Sequence, residues 1–257
     1  MYIIIALAIV VAIVLAGTSR SRRRNKAYAL PPGSRGMLLQ YVPFFATLDE
    51  TQQAAFEERV RDFLSRTAIT GVGVKVTDLD KLLVAAGAII PIFAFPDWRY
   101  NNLNEVLVYP TTFNRDYKYE GDERNVLGMV GDGAMHRQMI LSQQSIRQSF
   151  LNPEDGHNTV IHEFAHLIDK ADGSVDGVPE YLLKRPYAIT WLQHMRAAIN
   201  DMRREGHSDI NLYAATNEAE FFAVITEYLF ERPHQLQEHH PELYAMLSQM
   251  FRGEQSS

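Results

Sequence analysis

The chain contains no cysteine. That absence excludes structural disulfides, thiolate metal sites and a cysteine nucleophile, so any metal centre must be assembled from His, Asp and Glu. Basic residues are also scarce where nucleic-acid binding would need them. The chain of 257 residues carries a formal charge of −6, with 25 Lys and Arg against 31 Asp and Glu. Five of the basic residues (Arg20, Arg22, Arg23, Arg24 and Lys26) fall in the first 26 positions, which hold no acidic side chain. Without those five, 20 basic groups face 31 acidic ones, so the remainder stands at −11. An acidic body lacks the basic face that sequence-independent nucleic-acid binding requires, and no nucleic-acid partner is expected.

The only long apolar run lies at the amino terminus. Residues 2–16 (YIIIALAIVVAIVLA) are unbroken, closed by Gly17 and Thr18 and followed by SRSRRRNK. An export signal places its basic residues before the apolar stretch, and this order is the reverse. Positive charge after the run keeps that side in the cytoplasm. The expectation is a transmembrane anchor over 1–18, a basic flank and linker over 19–40, and a domain over 41–252 on the cytoplasmic face.

Apolar content of 46% and charged content of 22% suit one substantial globular domain. Residues 27–36 (AYALPPGSRG) read as a linker. Leu48 to Leu64 and Thr77 to Ile89 read as helices, the first with Phe56, Val60, Phe63 and Leu64 on one face. Glu105 to Tyr109 and Gln138 to Leu141 read as strands, and Asn114 to Gly133 as an exposed loop. The carboxy-terminal half is helical, with segments expected at 157–170, 186–204, 216–231 and 240–251, punctuated by Pro186, Pro233 and Pro241. The fold class is therefore α+β, mainly helical with a small sheet.

One motif carries chemistry: His162-Glu163-Phe164-Ala165-His166, an H-E-x-x-H sequence. Histidines four apart on a helix project one turn apart from one face, the spacing at which both reach one Zn²⁺ at ~2.0–2.1 Å. Glu163, at the next position, reaches a coordinated water rather than the ion and suits a general base. Asn158 or Thr159 can cap the helix. Ionisable groups on an otherwise apolar helix are costly without a shared partner.

A third protein ligand is required. Two candidates stand. Asp172 lies six residues after His166, a spacing used by some metalloproteases, although Asp169 occupies a position where those enzymes turn on glycine. Glu220 opens a later helix (Asn217-Glu218-Ala219-Glu220) amid Phe221, Phe222, Val224 and Ile225. Glu218 suits a first-turn carboxylate serving the helix dipole. A zinc deaminase is disfavoured, because its Cys pair is missing.

Four segments (YVPFFATL at 41–48, VLVYP at 106–110, HNTVIHEFAHLID at 157–169 and YAATNEAEFFAVITEYLFERP at 213–233) resemble the Mlc titration factor A peptidases. That family is a gluzincin group similar in its catalytic core to the anthrax lethal factor protease domain. The resemblance implies one zinc ion per chain held by His162, His166 and Glu220. It also implies Glu163 as base and Tyr213 as the donor that steadies the tetrahedral oxyanion. Asp169 is placed to orient a ligand imidazole, and His136 lies in a divergent stretch near 120–148. An aminopeptidase-like activity on peptide or protein substrates is implied. So is a regulatory protein partner, since the founding enterobacterial member binds a glucose-responsive transcriptional repressor.

Overall fold

A computed structural model describes residues 28–112, 128–130, 137–152, 156–183 and 185–252. The apolar run at 2–16, its basic flank and His136 lie outside the described residues. Among the described residues no helix is long and apolar enough to cross a membrane.

Helix α1 (Ser34–Tyr41) and the single turn α2 (Pro43–Ala46) lead into α3 (Glu50–Arg66). α1 occupies part of the stretch expected to be linker, because Leu38 and then Val42 and Phe45 are drawn into the core. Asp49 starts α3 with a capping box, its side chain accepting from Gln52 N while Gln52 reaches back to Asp49 N. Strand β1 (Ala68–Gly71) leads to helix α4 (Asp78–Ile89), opened by a second capping box between Thr77 and Asp80.

Strands β2 (Glu105–Tyr109), β3 (Gly128–Val130) and β4 (Gln138–Ser142) complete a sheet of order β1-β2-β4-β3. β1, β2 and β4 run parallel, with Val106 opposite Ile69 on one side and Met139 on the other. β3 pairs antiparallel with β4 at the edge, Gly128 opposite Leu141. This strand falls inside the segment expected to be a loop. Three residues are too few to show an alternating pattern, so the pairing comes from β4 rather than from local propensity.

The remainder is helical: α5 (Gln143–Leu151), α6 (Thr159–Asp169), α7 (Arg185–Glu205), α8 (Glu218–Glu231), α9 (Pro233–His239) and α10 (Pro241–Arg252). Helices α4, α6 and α8 are buried around most of their circumference, as all-round apolar helices must be. At the crossing of α4 and α6, a Cβ on Gly87 would stand 2.4 Å from Val160 Cγ1, so glycine there sets the approach of the two helices. The architecture is mainly helical α+β, as expected. Its consequence for function is that α6 runs through the middle of the core, packed by α8, α4, α5 and β3.

Candidate metal centre

Asn158 begins the site. Its buried side chain caps α6 by accepting from Ile161 N at 3.0 Å, and its amide nitrogen donates to Ser149 O and Glu231 Oε1. One residue thus fixes the start of α6 against α5 and α8, and with it the direction of the histidines one turn on. Asn217 does the same for α8, its side chain accepting from Glu220 N at 2.9 Å.

These two caps bring three donor atoms together. His162 Nε2 lies 3.1 Å from His166 Nε2 and 3.1 Å from Glu220 Oε2, and His166 Nε2 lies 3.4 Å from the same oxygen. The imidazole rings are 4.8 Å apart and nearly perpendicular. Among the described residues this is the one His/Asp/Glu cluster with the closeness a metal ion needs.

Hydrogen bonding accounts for the triangle only if an extra proton is held among its three atoms. Glu227 Oε1 lies 2.6 Å from His162 Nδ1, and a carboxylate there requires that nitrogen to donate. A neutral His162 then turns its Nε2 lone pair toward the Glu220 carboxylate, an arrangement of two acceptors that only a shared proton or a cation relieves. Ligands held at ~2.0–2.1 Å around a tetrahedral ion stand roughly 3.3–3.4 Å apart, close to the separations found here. The donor set, two imidazoles and a carboxylate, fits zinc.

Charge follows the same geometry. Burial works against ionisation of Glu220, but hydrogen bonds from His162 and His166 hold its carboxyl well below the usual range. Burial also works against charge on His162, yet Glu227 and Glu220 keep its affinity for a proton well above that of an ordinary imidazole. Glu163 behaves in the opposite way to Glu220. Its carboxyl is buried and raised from 4.5, first by desolvation, with His162 and His166 opposing. The backbone of β3 closes over it: a Cβ on Gly128 would stand 2.6 Å from Glu163 Oε1 and 2.9 Å from its Cδ. Only glycine permits that approach.

The other sequence candidates fall as follows. Tyr213 sits on a 3₁₀ turn (Leu212–Ala215), its ring 6.2 Å from that of His162 and 53% exposed at the rim of the site. Arg203 holds this turn by donating to Ala215 O and Thr216 O. Asp172 is not brought to the histidines. Its oxygens accept from Ser174 N and Glu180 N and shape the following loop. Glu218 pairs with Arg196 on the surface. Asp169 is fully buried, but it accepts from Gly177 N rather than from an imidazole. The carboxylate that orients a histidine is Glu227, which the sequence reading passed over. It also accepts from Asn158 N at 2.8 Å. The available signal was its position seven residues, or two turns, after Glu220, which puts both on one face of α8.

A buried helix presenting two histidines and a glutamate to a carboxylate on a neighbouring helix defines a metallopeptidase-like centre. The sequence profile of the glucose-regulated metallo-peptidase M90 family matches residues 17–252, and the chain belongs to that family. It is 31% identical over 233 residues to an uncharacterized protein of Synechocystis, covering 86% of this chain and 84% of that one. It is 28% identical over 227 residues to Mlc titration factor A of Klebsiella pneumoniae (82% and 83% covered). The corresponding figures for Mlc titration factor A of Salmonella arizonae are 29% over 231 residues, 84% and 89% covered.

Proposed function

We propose that this chain is a zinc-dependent peptidase of aminopeptidase-like activity, using His162, His166 and Glu220 as ligands, Glu163 as general base and Tyr213 as oxyanion donor. The observation that carries the reading is the convergence of His162 Nε2, His166 Nε2 and Glu220 Oε2 beside a buried Glu163. The chemistry supplied by zinc, when bound, is Lewis acidity, which polarises a carbonyl and lowers the pKa of water toward ~7. Glu227 holds the proton of His162 on Nδ1, leaving Nε2 for the ligand role. The Glu163 carboxylate takes the proton released as water attacks the scissile carbonyl and delivers it to the leaving amine. Tyr213 donates its phenolic proton to the oxygen on which charge develops.

The run at 2–16 and the basic cluster after it support a single anchor, with the peptidase on the cytoplasmic side. A regulatory protein partner is the second reading, favoured by the name Mlc titration factor A among the relatives. A Glu suited to proton transfer beside the ligands favours the enzyme, since a pure binding module has no use for it.

The test uses the full chain, its Glu163→Gln and its Glu220→Ala forms, assayed for zinc content and for hydrolysis of an alanyl anilide and a peptide library. Glu163→Gln is expected to retain zinc and lose activity, and Glu220→Ala to lose both. Turnover by Glu163→Gln at the wild-type rate would leave the binding-protein reading as the better one.

A further inference from the structure

A polar cavity backs onto the face of α6 that carries Phe164, away from the metal centre. Its volume is 390 Å³, within the range of small-molecule sites, and its lining includes Arg59, Arg66, Arg99 and Arg137. One carboxylate, Asp62, belongs to the lining. It pairs with Arg66 Nε at 2.7 Å and with Arg99 Nε at 2.5 Å. Four guanidinium groups against one carboxylate is a local excess of positive charge in a chain whose total is −6.

Arg59 makes this more than a surface cluster. It is 9% exposed, and its Nη1 donates to the carbonyls of Ile92 and Phe93. Its Nη2 is buried without a hydrogen-bond partner. A buried guanidinium nitrogen with no acceptor is costly, so Arg59 keeps an unmet need for negative charge at the edge of this cavity. Burial, followed by the neighbouring charge of Arg99, pulls the Arg59 pKa down to about 10. A bound anion would offset both by favouring the charged guanidinium. Arg137 enters from another direction, held by its Nη2 donating to Asn101 O. It is the one non-glycine residue with positive φ (65°) among those described.

The wall also holds Thr67, Asn101 and Asn104 and an aromatic group in which Tyr100 packs edge-on to Phe63 and to Trp98. We propose that this cleft binds a small phosphomonoester, its phosphate among the four arginines and its organic part against Trp98 and Tyr100. Planar forks of N–H donors match phosphate oxygens two at a time, and a dianion offsets more of the excess charge than a monocarboxylate does. The cleft backs directly onto the metal helix. Phe164 lies 5.0 Å from Tyr100 and 5.7 Å from Phe63 in ring centroids, and Asn102 donates to Leu167 O at 2.8 Å.

Calorimetric titration of the full chain with phenyl phosphate, inorganic phosphate and benzoate tests the assignment. Phenyl phosphate is expected to saturate one site, bind more tightly than benzoate, and weaken as salt rises. Removing two arginines as Arg66→Gln/Arg99→Gln should weaken it about 10-fold or more. Arg137→Gln, at an exposed position, gives the same direction if the double variant fails to fold. Affinity should be unchanged after chelation and in Glu220→Ala. No saturable binding, equal affinity in the arginine variants, or benzoate binding as tightly as phenyl phosphate would overturn the proposal. Loss of binding on chelation would also overturn it, by placing the anion at the metal centre.

Discussion

Glu163 and Glu220 approach the same two imidazoles from different regions, one from the enclosed wall where α6 meets β3, the other from the first turn of α8. Their surroundings push them apart. Glu220 contacts both histidines directly and is held ionised, whereas Glu163 lies under the backbone of Gly128 and is raised by desolvation. Identical side chains thus acquire the different properties that the proposed roles need, a lasting charge in the one and a raised proton affinity in the other. Environment, rather than residue type, sorts acids from bases in such sites.

Breaking the comparison on the Glu163 side should have the largest effect. Glu163→Gln is expected to lower hydrolysis by ~10²–10⁴-fold or more with zinc retained, the range for loss of a general acid–base group. Parallel metal analysis and initial rates check it. Tyr213→Phe comes next, at about 2.7–4 kcal/mol of transition-state stabilisation, seen in kcat more than in KM. A pure KM effect would mean that the ring at the rim only binds substrate. Glu227→Gln then sharpens the Glu220 side. Its loss should weaken metal binding by about 10–100-fold, with the ligands themselves intact. Competition with a calibrated chelator measures it, and unchanged affinity would deny Glu227 its orienting role.

The parts of this site that could be read from sequence were those with a local period. The i, i+4 histidines announce themselves on any helix, and Glu220 stands out because phenylalanines follow it. The long helices α3, α4, α6, α7, α8 and α10 were each placed within a few residues, since apolar spacing and caps mark them. What was not legible depends on distant chain. β1 and β3 span four and three residues and owe their pairing to β2 and β4. α5 follows β4 without a break, and its polar start disguises it. The arginine cleft is less visible still. Arg59 and Arg66 carry no local mark of a site, and nothing local indicates that Arg99 and Arg137 join them.

The smallest effect on turnover is expected at Asp169, which tests whether a raised pKa by itself marks a base. Asp169 shares α6 with Glu163, is fully buried, and is likewise pushed up, to about 6, chiefly by desolvation. It differs in reach, because its Oδ2 accepts from Gly177 N and its Oδ1 has no hydrogen-bond partner. Geometry therefore assigns it no proton to move, and Asp169→Asn should leave kcat within about threefold, a cost below ~1 kcal/mol in the barrier. Its signature belongs to stability. Below the unfolded value of 3.8 the carboxyl is protonated in both states and carries no penalty. As pH rises toward 6 the unfolded chain releases this proton while the native state keeps it, so the native state loses stability across that window. About two units at ~1.36 kcal/mol each puts the loss near 3 kcal/mol above pH 6. Asp169→Asn lacks that dependence, so its urea-unfolding free energy should gain on the wild type between pH 4 and 6 and then hold the difference. Parallel profiles would mean that the buried carboxyl is neutralised by a partner, and a large drop in kcat would make Asp169 part of the catalytic apparatus after all.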